Sequence, residues 1–324
     1  MAHAKLPRPA RESKIASVPQ TLPNPHTPFP IAPPTTTLVD APPVVRYWHL
    51  TSLDAPTVAV VWTLAFSSAL GIHLPPWVPV LLGLAAWTAY ILDRLLDART
   101  AVRAGILDDM PERHRFHHLH RRTFTALAII AAIAAAGIVW ILMPVAARER
   151  NSALVLAALA YFTRVHIRIG DASPIPAPGD KAPRKRLPIK ELLVGLIFTA
   201  ACVLPSASRM PQKPIAIEIA MAAVALAFAL LAWLNCYSID SWEGPTLRRS
   251  DDLPLPAILL CVGLLVAAAT LAWIDLRFTA LLLAAAASAG LLALLDLFRN
   301  RFTPIALRAA ADLVLLTPLA LLLQ

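Results

Sequence analysis

The chain alternates between long apolar runs and short, charge-rich segments. Residues 55–92 contain no Asp, Glu, Lys or Arg, and further charge-free runs follow at 123–147, 151–163, 192–208, 219–239, 253–274 and 278–295. A last run, about 303–323, carries Arg308 and Asp312 near its start. A bilayer-spanning helix needs about 20 residues, and the shorter runs reach that length by extending past a flanking charge. Pro75-Pro76 split the first stretch into two helices, because proline cannot continue a helix and restricts the residue before it. The pattern predicts an all-α integral membrane bundle of nine transmembrane helices over residues 45–324. The fourth (about 150–168) and fifth (about 190–207) rest on the shortest runs.

Residues 1–44 differ. They hold eleven of the 30 prolines, scattered basic residues and no apolar run. With no hydrophobic core of a signal peptide, this segment reads as a disordered, Pro-rich cytoplasmic tail.

Composition sharpens the picture. The chain is 58% hydrophobic and 15% charged, with a mean hydropathy of +0.64, against about 25% charged in soluble domains. This excludes an ordinary soluble enzyme, and it excludes a nucleic-acid partner despite a net charge of +9. The basic residues instead report topology. With the N-terminus in the cytoplasm, 24 of the 29 Lys and Arg fall on the cytoplasmic side of nine spans, the bias expected of cytoplasmic loops. The protein is therefore expected in the plasma (inner) membrane. Cys202, Cys236 and Cys261 sit in apolar runs without CxxC spacing and read as helix-packing thiols. Trp48, Trp77, Trp140, Trp242 and Trp273 lie near predicted helix ends, where interfacial aromatics anchor.

Charges at the ends of such helices need a reason. Asp93 and Asp97 close the second helix, and a spacing of four puts both carboxylates on one face. Asp240 and Glu243 close the sixth, three apart. Four helices separate the pairs, so both end on the same, cytoplasmic side. Either pair alone also suits a neutralised interfacial helix end. Together they suit a hard divalent cation such as magnesium, which binds through a few carboxylates plus substrate phosphates. Basic segments flank them: Arg94, Arg99, Arg103, Arg113 to Arg122, and Lys181 to Lys190. Carboxylates for magnesium beside cations for phosphate oxygens make a diphosphate site, and a lipid-embedded cavity beside it would suit an isoprenoid tail.

Asp93-Arg94-Leu-Leu-Asp97 resembles the DRxxD core of the NDxxDRxxD motif of the UbiA superfamily of intramembrane prenyltransferases. Ala89 and Tyr90 stand where that motif has Asn and its first Asp. Ser52-Leu-Asp54-Ala-Pro56 is similar to the family's RLDKP-like opening of helix one, and Asp240-Ser-Trp-Glu243 falls at its second Asp-rich motif. Leu187-Pro-Ile-Lys190-Glu191-Leu-Leu-Val-Gly195 looks like its basic lead into helix five, and Tyr161-Phe-Thr-Arg164 lies near its tyrosine and basic pair on helix four. The resemblance covers about residues 46–324. It implies transfer of a polyprenyl group from its diphosphate to an aromatic or lipid acceptor. Asp93, Asp97, Asp240 and Glu243 would hold magnesium and diphosphate. Arg94, Lys190, Arg164 and Tyr161 would neutralise the leaving group. Asn235 stands as a compensating oxygen ligand or as an interhelical hydrogen-bonding residue. Two other readings stay open: a UbiA-like protein that binds isoprenoid or lipid without turnover, and a cation-coupled transporter.

The segment Glu112–Arg122 holds His114, His117, His118 and His120 among arginines. Its spacing fits metal ligation, phosphate contact, or a solvated face against membrane lipids. Arg308 and Asp312, four apart, are expected to pair with each other. Asp275-Leu-Arg277 fits a tight turn between the seventh and eighth helices. His3, His26, His49, His73 and His166 are isolated in sequence and carry no expectation of their own.

Overall fold

The computed structural model describes residues 38–105, 110–170, 189–210, 212, 214–243 and 254–323, with the side chains of 162, 164–170, 189, 190 and 243 outside that description. The tail before Leu38 and the basic segment 171–188 therefore lie outside the described residues.

The protein is helical throughout what is described. In chain order the helices are α1 (Pro43–Leu50), α2 (Asp54–Leu70), α3 (Trp77–Ala104), α4 (Glu112–Leu119), α5 (Arg121–Ile141), α6 (Val145–Gly170), α7 (Ile189–Ala207), α8 (Ile215–Glu243), α9 (Pro254–Leu271), α10 (Leu276–Leu297), α11 (Pro304–Leu313) and α12 (Leu319–Leu322). Five of these (α3, α5, α8, α9 and α10) are long and apolar enough to cross a membrane. A sixth span forms if α1 and α2, bent by 91°, are taken as one. Each predicted helix has a helical counterpart, but length and composition qualify fewer than nine as spans.

The ninth run departs most from expectation. It is not one helix: α11 ends at Leu313, a 3-10 turn covers Val314–Leu316, and α12 begins after Pro318. Proline has no N–H to give and crowds the carbonyl four residues back, here that of Val314. The freed carbonyls are answered by other helices. Ser288 Oγ donates to the Val314 carbonyl at 2.6 Å and Trp62 Nε1 donates to that of Leu315 at 2.9 Å; in the other direction, Thr317 Oγ1 of the break donates to the Ala284 carbonyl of α10 at 2.8 Å. Irregular backbone among apolar helices persists where protein satisfies it, and α2 and α10 do so here.

The core lies between α2, α8, α9 and α10. Trp62 stacks on Phe228 with ring centroids 4.0 Å apart, and Phe66 meets Phe228 edge-on. A smaller cluster, Ile91, Phe124 and Ala128, joins α3 to α5. Opposite faces carry exposed Ile130, Ile133, Leu156, Leu265 and Val266, which suits a lipid surface rather than water. Trp140 and Trp273 are exposed as anchors would be, whereas Trp48 and Trp242 spend their N–H groups inside the protein, on Thr57 and Asp296. Asp275 caps α10, accepting from the Arg277 and Phe278 N–H groups.

Two backbone features position the site. Leu38–Ala41, the end of the expected tail, is pinned beside the α10–α11 connection: Val39 N–H donates to Arg301, and Thr303 N–H donates to Val39. The corner after α1 is a Schellman closure. Leu53 N–H reaches the Trp48 carbonyl and Ser52 N–H that of His49, with Ser52 at φ 56°. That left-handed position usually goes to glycine, and a side chain there costs on the order of 1 kcal/mol.

Candidate functional site

The corner between α1 and α2 turns the chain back sharply enough for residues five apart to meet. His49 Nδ1 lies 2.8 Å from Asp54 Oδ2, and Asp54 Oδ1 accepts from the Ala55 N–H. Both residues are almost fully buried. α11 brings Asp312 to the same place, with Oδ2 3.8 Å from His49 Nδ1. α8 adds Asn235, whose Nδ2 donates to Asp312 Oδ1 at 3.0 Å and whose own Oδ1 is buried with no hydrogen-bond partner. One ligand atom from each of His49, Asp54 and Asp312 lies within 4.8 Å of the others.

α3 supplies the cations. Arg94 is buried, with its guanidinium 3.2 Å from Asp93 and 5.4 Å over the Tyr90 ring. It acts electrostatically on Asp54, and its Nε is buried without an acceptor. Arg308, one turn before Asp312, acts on both Asp312 and His49. The expected Arg308–Asp312 proximity is present, but Asp312 hydrogen-bonds Asn235 and faces His49 and Asp54.

α4 closes one side of this cluster. Its His114 and His117 point inward and are buried, so they do not form the solvated face considered from sequence. His114 Nε2 faces Asp97 at 3.5 Å. His117 Nδ1 bonds the Arg113 carbonyl at 2.7 Å, and its Nε2 meets Ser52 Oγ at 3.5 Å, the long limit of a hydrogen bond. Burial pushes the His117 imidazole down to about 4, with Arg94 and His114 adding to the effect. Burial lowers His114 too, against the opposing pull of Asp97. At neutral pH both imidazoles are therefore uncharged. Arg46, on α1, reaches over α4 to Glu112.

Of the residues singled out by sequence, Asp93 and Asp97 stand on one face of α3, each about a third exposed. Tyr161 of α6 lies within electrostatic reach of Asp93, of Glu191 on α7 and of Cys236 on α8. Asp93 is thus common to Arg94, at 3.2 Å, and to Tyr161, which lies within its electrostatic reach. Asp240 is exposed at the end of α8. The side chains of Glu243, Lys190 and Arg164 lie outside the described residues. Asn235 is in the site, bonded between helices to Asp312.

His49 and Asp312 were missed as members of a common cluster. Asp312 carried a usable signal, since a carboxylate within an apolar run marks function by default, but the i, i+4 arginine offered a simpler partner. His49 had no signal, because its partners come through a corner built on a non-glycine residue and through the last part of the chain.

Compared with known protein families, curated proteins and solved structures, the chain matches none.

Proposed function

We propose that this protein is an intramembrane prenyltransferase that takes a polyprenyl group from its diphosphate and passes it to an aromatic or lipid acceptor. The observation that carries the reading is Arg94. A guanidinium buried among apolar helices, held by Asp93 on one side and with an Nε–H lacking an acceptor, is a donor waiting for an anionic oxygen. Guanidinium groups match phosphate oxygens in geometry and stay charged when buried. Tyr161, within electrostatic reach of Asp93, is a further hydroxyl donor for such an anion. The surrounding lipid-facing helices suit an isoprenoid chain.

Asp93 and Asp97, accessible and one turn apart, suit a magnesium site that Asp240 and Glu243 would complete from α8. Bound there, magnesium would stabilise charge developing on the leaving diphosphate. The chain's own part is to orient that diphosphate through Arg94 and Tyr161, with Lys190 and Arg164 as further cations, and to keep water from the allylic carbon. Nine spans with the N-terminus inside would put this site on the cytoplasmic face of the plasma (inner) membrane.

The test is diphosphate release by purified protein given magnesium and radiolabelled prenyl diphosphates. Release that Asp93→Ala abolishes supports the reading. Binding of a prenyl lipid with no turnover converts it to a lipid-binding protein, and neither binding nor release sinks it. A second reading, cation-coupled transport, has one observation in its favour: the break between α11 and α12 lies next to Asp312, and interrupted helices beside carboxylates build ion sites in transporters. Cation flux into proteoliposomes without any prenyl diphosphate would favour it.

A further inference from the structure

We infer that His49, Asp54 and Asp312, with the amide of Asn235, form a binding site for a divalent transition-metal ion, best matched by zinc, separate from Asp93 and Asp97 within α3 and from Asp240 and Glu243 at the end of α8. Three elements far apart in sequence converge on it: the α1–α2 corner, α8 and α11. The ligand atoms of His49, Asp54 and Asp312 lie within 4.8 Å of one another. Zinc binds nitrogen and oxygen at about 2.0–2.2 Å, so the ligands of a shared ion stand roughly 3–4 Å apart by the same geometry. Of the separations here, 3.8 Å from His49 to Asp312 lies within that range and 2.8 Å from His49 to Asp54 just below it.

The chemistry of the surroundings points the same way. Two carboxylates and an imidazole this close, and this dry, are stabilised by a cation or a shared proton among them. Independently, Asn235 is 5% exposed and offers a carbonyl oxygen with no donor, while its nitrogen is held on Asp312. A buried amide oxygen left without a partner is costly, and such oxygens are ordinary ligands for cations. The imidazole nitrogen sets the preference: magnesium favours all-oxygen surroundings and retains its waters, whereas nitrogen with carboxylate suits zinc. Arg94 and Arg308 act on the same carboxylates. They compete with the ion, which makes it exchangeable by a chelator rather than locked in.

The experiment uses the full chain purified in detergent, stripped with EDTA and titrated with zinc alone. Retained metal is counted by mass spectrometry after desalting, and thermal unfolding is followed in parallel. The wild type and Asp93→Ala should each retain one zinc per chain and unfold at a higher temperature with zinc. Asp312→Asn and His49→Gln should bind it at least tenfold more weakly while remaining monodisperse. If those variants misfold, Asn235→Asp decides: replacing an amide by a carboxylate of the same size should tighten binding several-fold. The inference is overturned if the wild type retains no zinc, if Asp312→Asn retains a full equivalent, if Asp93→Ala loses it, or if Asn235→Asp binds no tighter. None of these readouts depends on prenyl transfer, so the two proposals fail separately.

Discussion

Asn235 donates to Asp312 across the interface of α8 and α11, at 3.0 Å and largely out of contact with water. Because both partners are enclosed, removing either one leaves the other's polar atoms stranded. A double-mutant cycle with Asn235→Ala and Asp312→Ala should give a coupling of about 0.5–3 kcal/mol, read from unfolding in detergent. Strict additivity would mean that the two side chains do not depend on each other.

The break in the ninth run makes a second test. Trp62→Phe keeps an aromatic ring, though a smaller one, against Phe228 and removes the N–H from the Leu315 carbonyl. It should destabilise the protein by about 1–3 kcal/mol and raise hydrogen exchange selectively around residues 314–322. Equal protection in mutant and wild type would show that the stacking of Trp62 on Phe228, not its hydrogen bond, holds that segment.

Two glycines in spans or near-spans should respond oppositely. A Cβ at Gly195 would meet the Ala229 carbonyl oxygen at 3.0 Å and the Trp233 nitrogen at 3.1 Å, both backbone atoms of α8. Gly195→Ala must push α7 away and should cost about 1–3 kcal/mol. At Gly263 of α9 a Cβ meets nothing within 4 Å, so Gly263→Ala should be neutral or stabilising by about 0.5–1 kcal/mol. Thermal unfolding of the two variants side by side checks the contrast.

Acid should loosen α4. His117 titrates near 4 in the folded protein and near 6.5 when unfolded, so the unfolded chain binds the extra proton first. The stability this burial reflects is complete above about pH 6.5 and is lost as pH falls towards 4, by up to roughly 3 kcal/mol. His114, lowered in the same direction, adds to the slope. Unfolding temperature measured from pH 7 to 4 should fall more steeply in wild type than in His117→Gln. Parallel curves would place the acid-sensitive group elsewhere.

The helices were legible in the sequence wherever a charge-free run exceeded a few turns, because lipid and protein core both demand an apolar surface. Asp93 and Arg94 were legible for the complementary reason: charge at the end of such a run stands out. What the pattern did not reveal was local geometry set by single side chains. α1 is eight residues long and follows a proline-rich stretch, and its corner uses Ser52 where glycine would have announced a turn. The α11–α12 break needed Ser288 and Trp62, whose hydroxyl and indole look like any others in an apolar run. Likewise His114 and His117 look solvated in a basic segment, and only their packing against α1 and α3 turns them inward.

The order of synthesis gives the interrupted last run a further significance. His49, Asp54 and Trp62 leave the ribosome well before Asp312 and Leu315 exist. During that interval the Trp62 N–H has no Leu315 carbonyl to donate to, and His49 and Asp54 have each other but not yet Asp312. When α11 and the 3-10 turn after it arrive, Asp312 joins His49 and Asp54, and Leu315 accepts from the indole. The last stretch of chain thus completes two contacts, one polar and one ionic, that α1 and α2 cannot make by themselves.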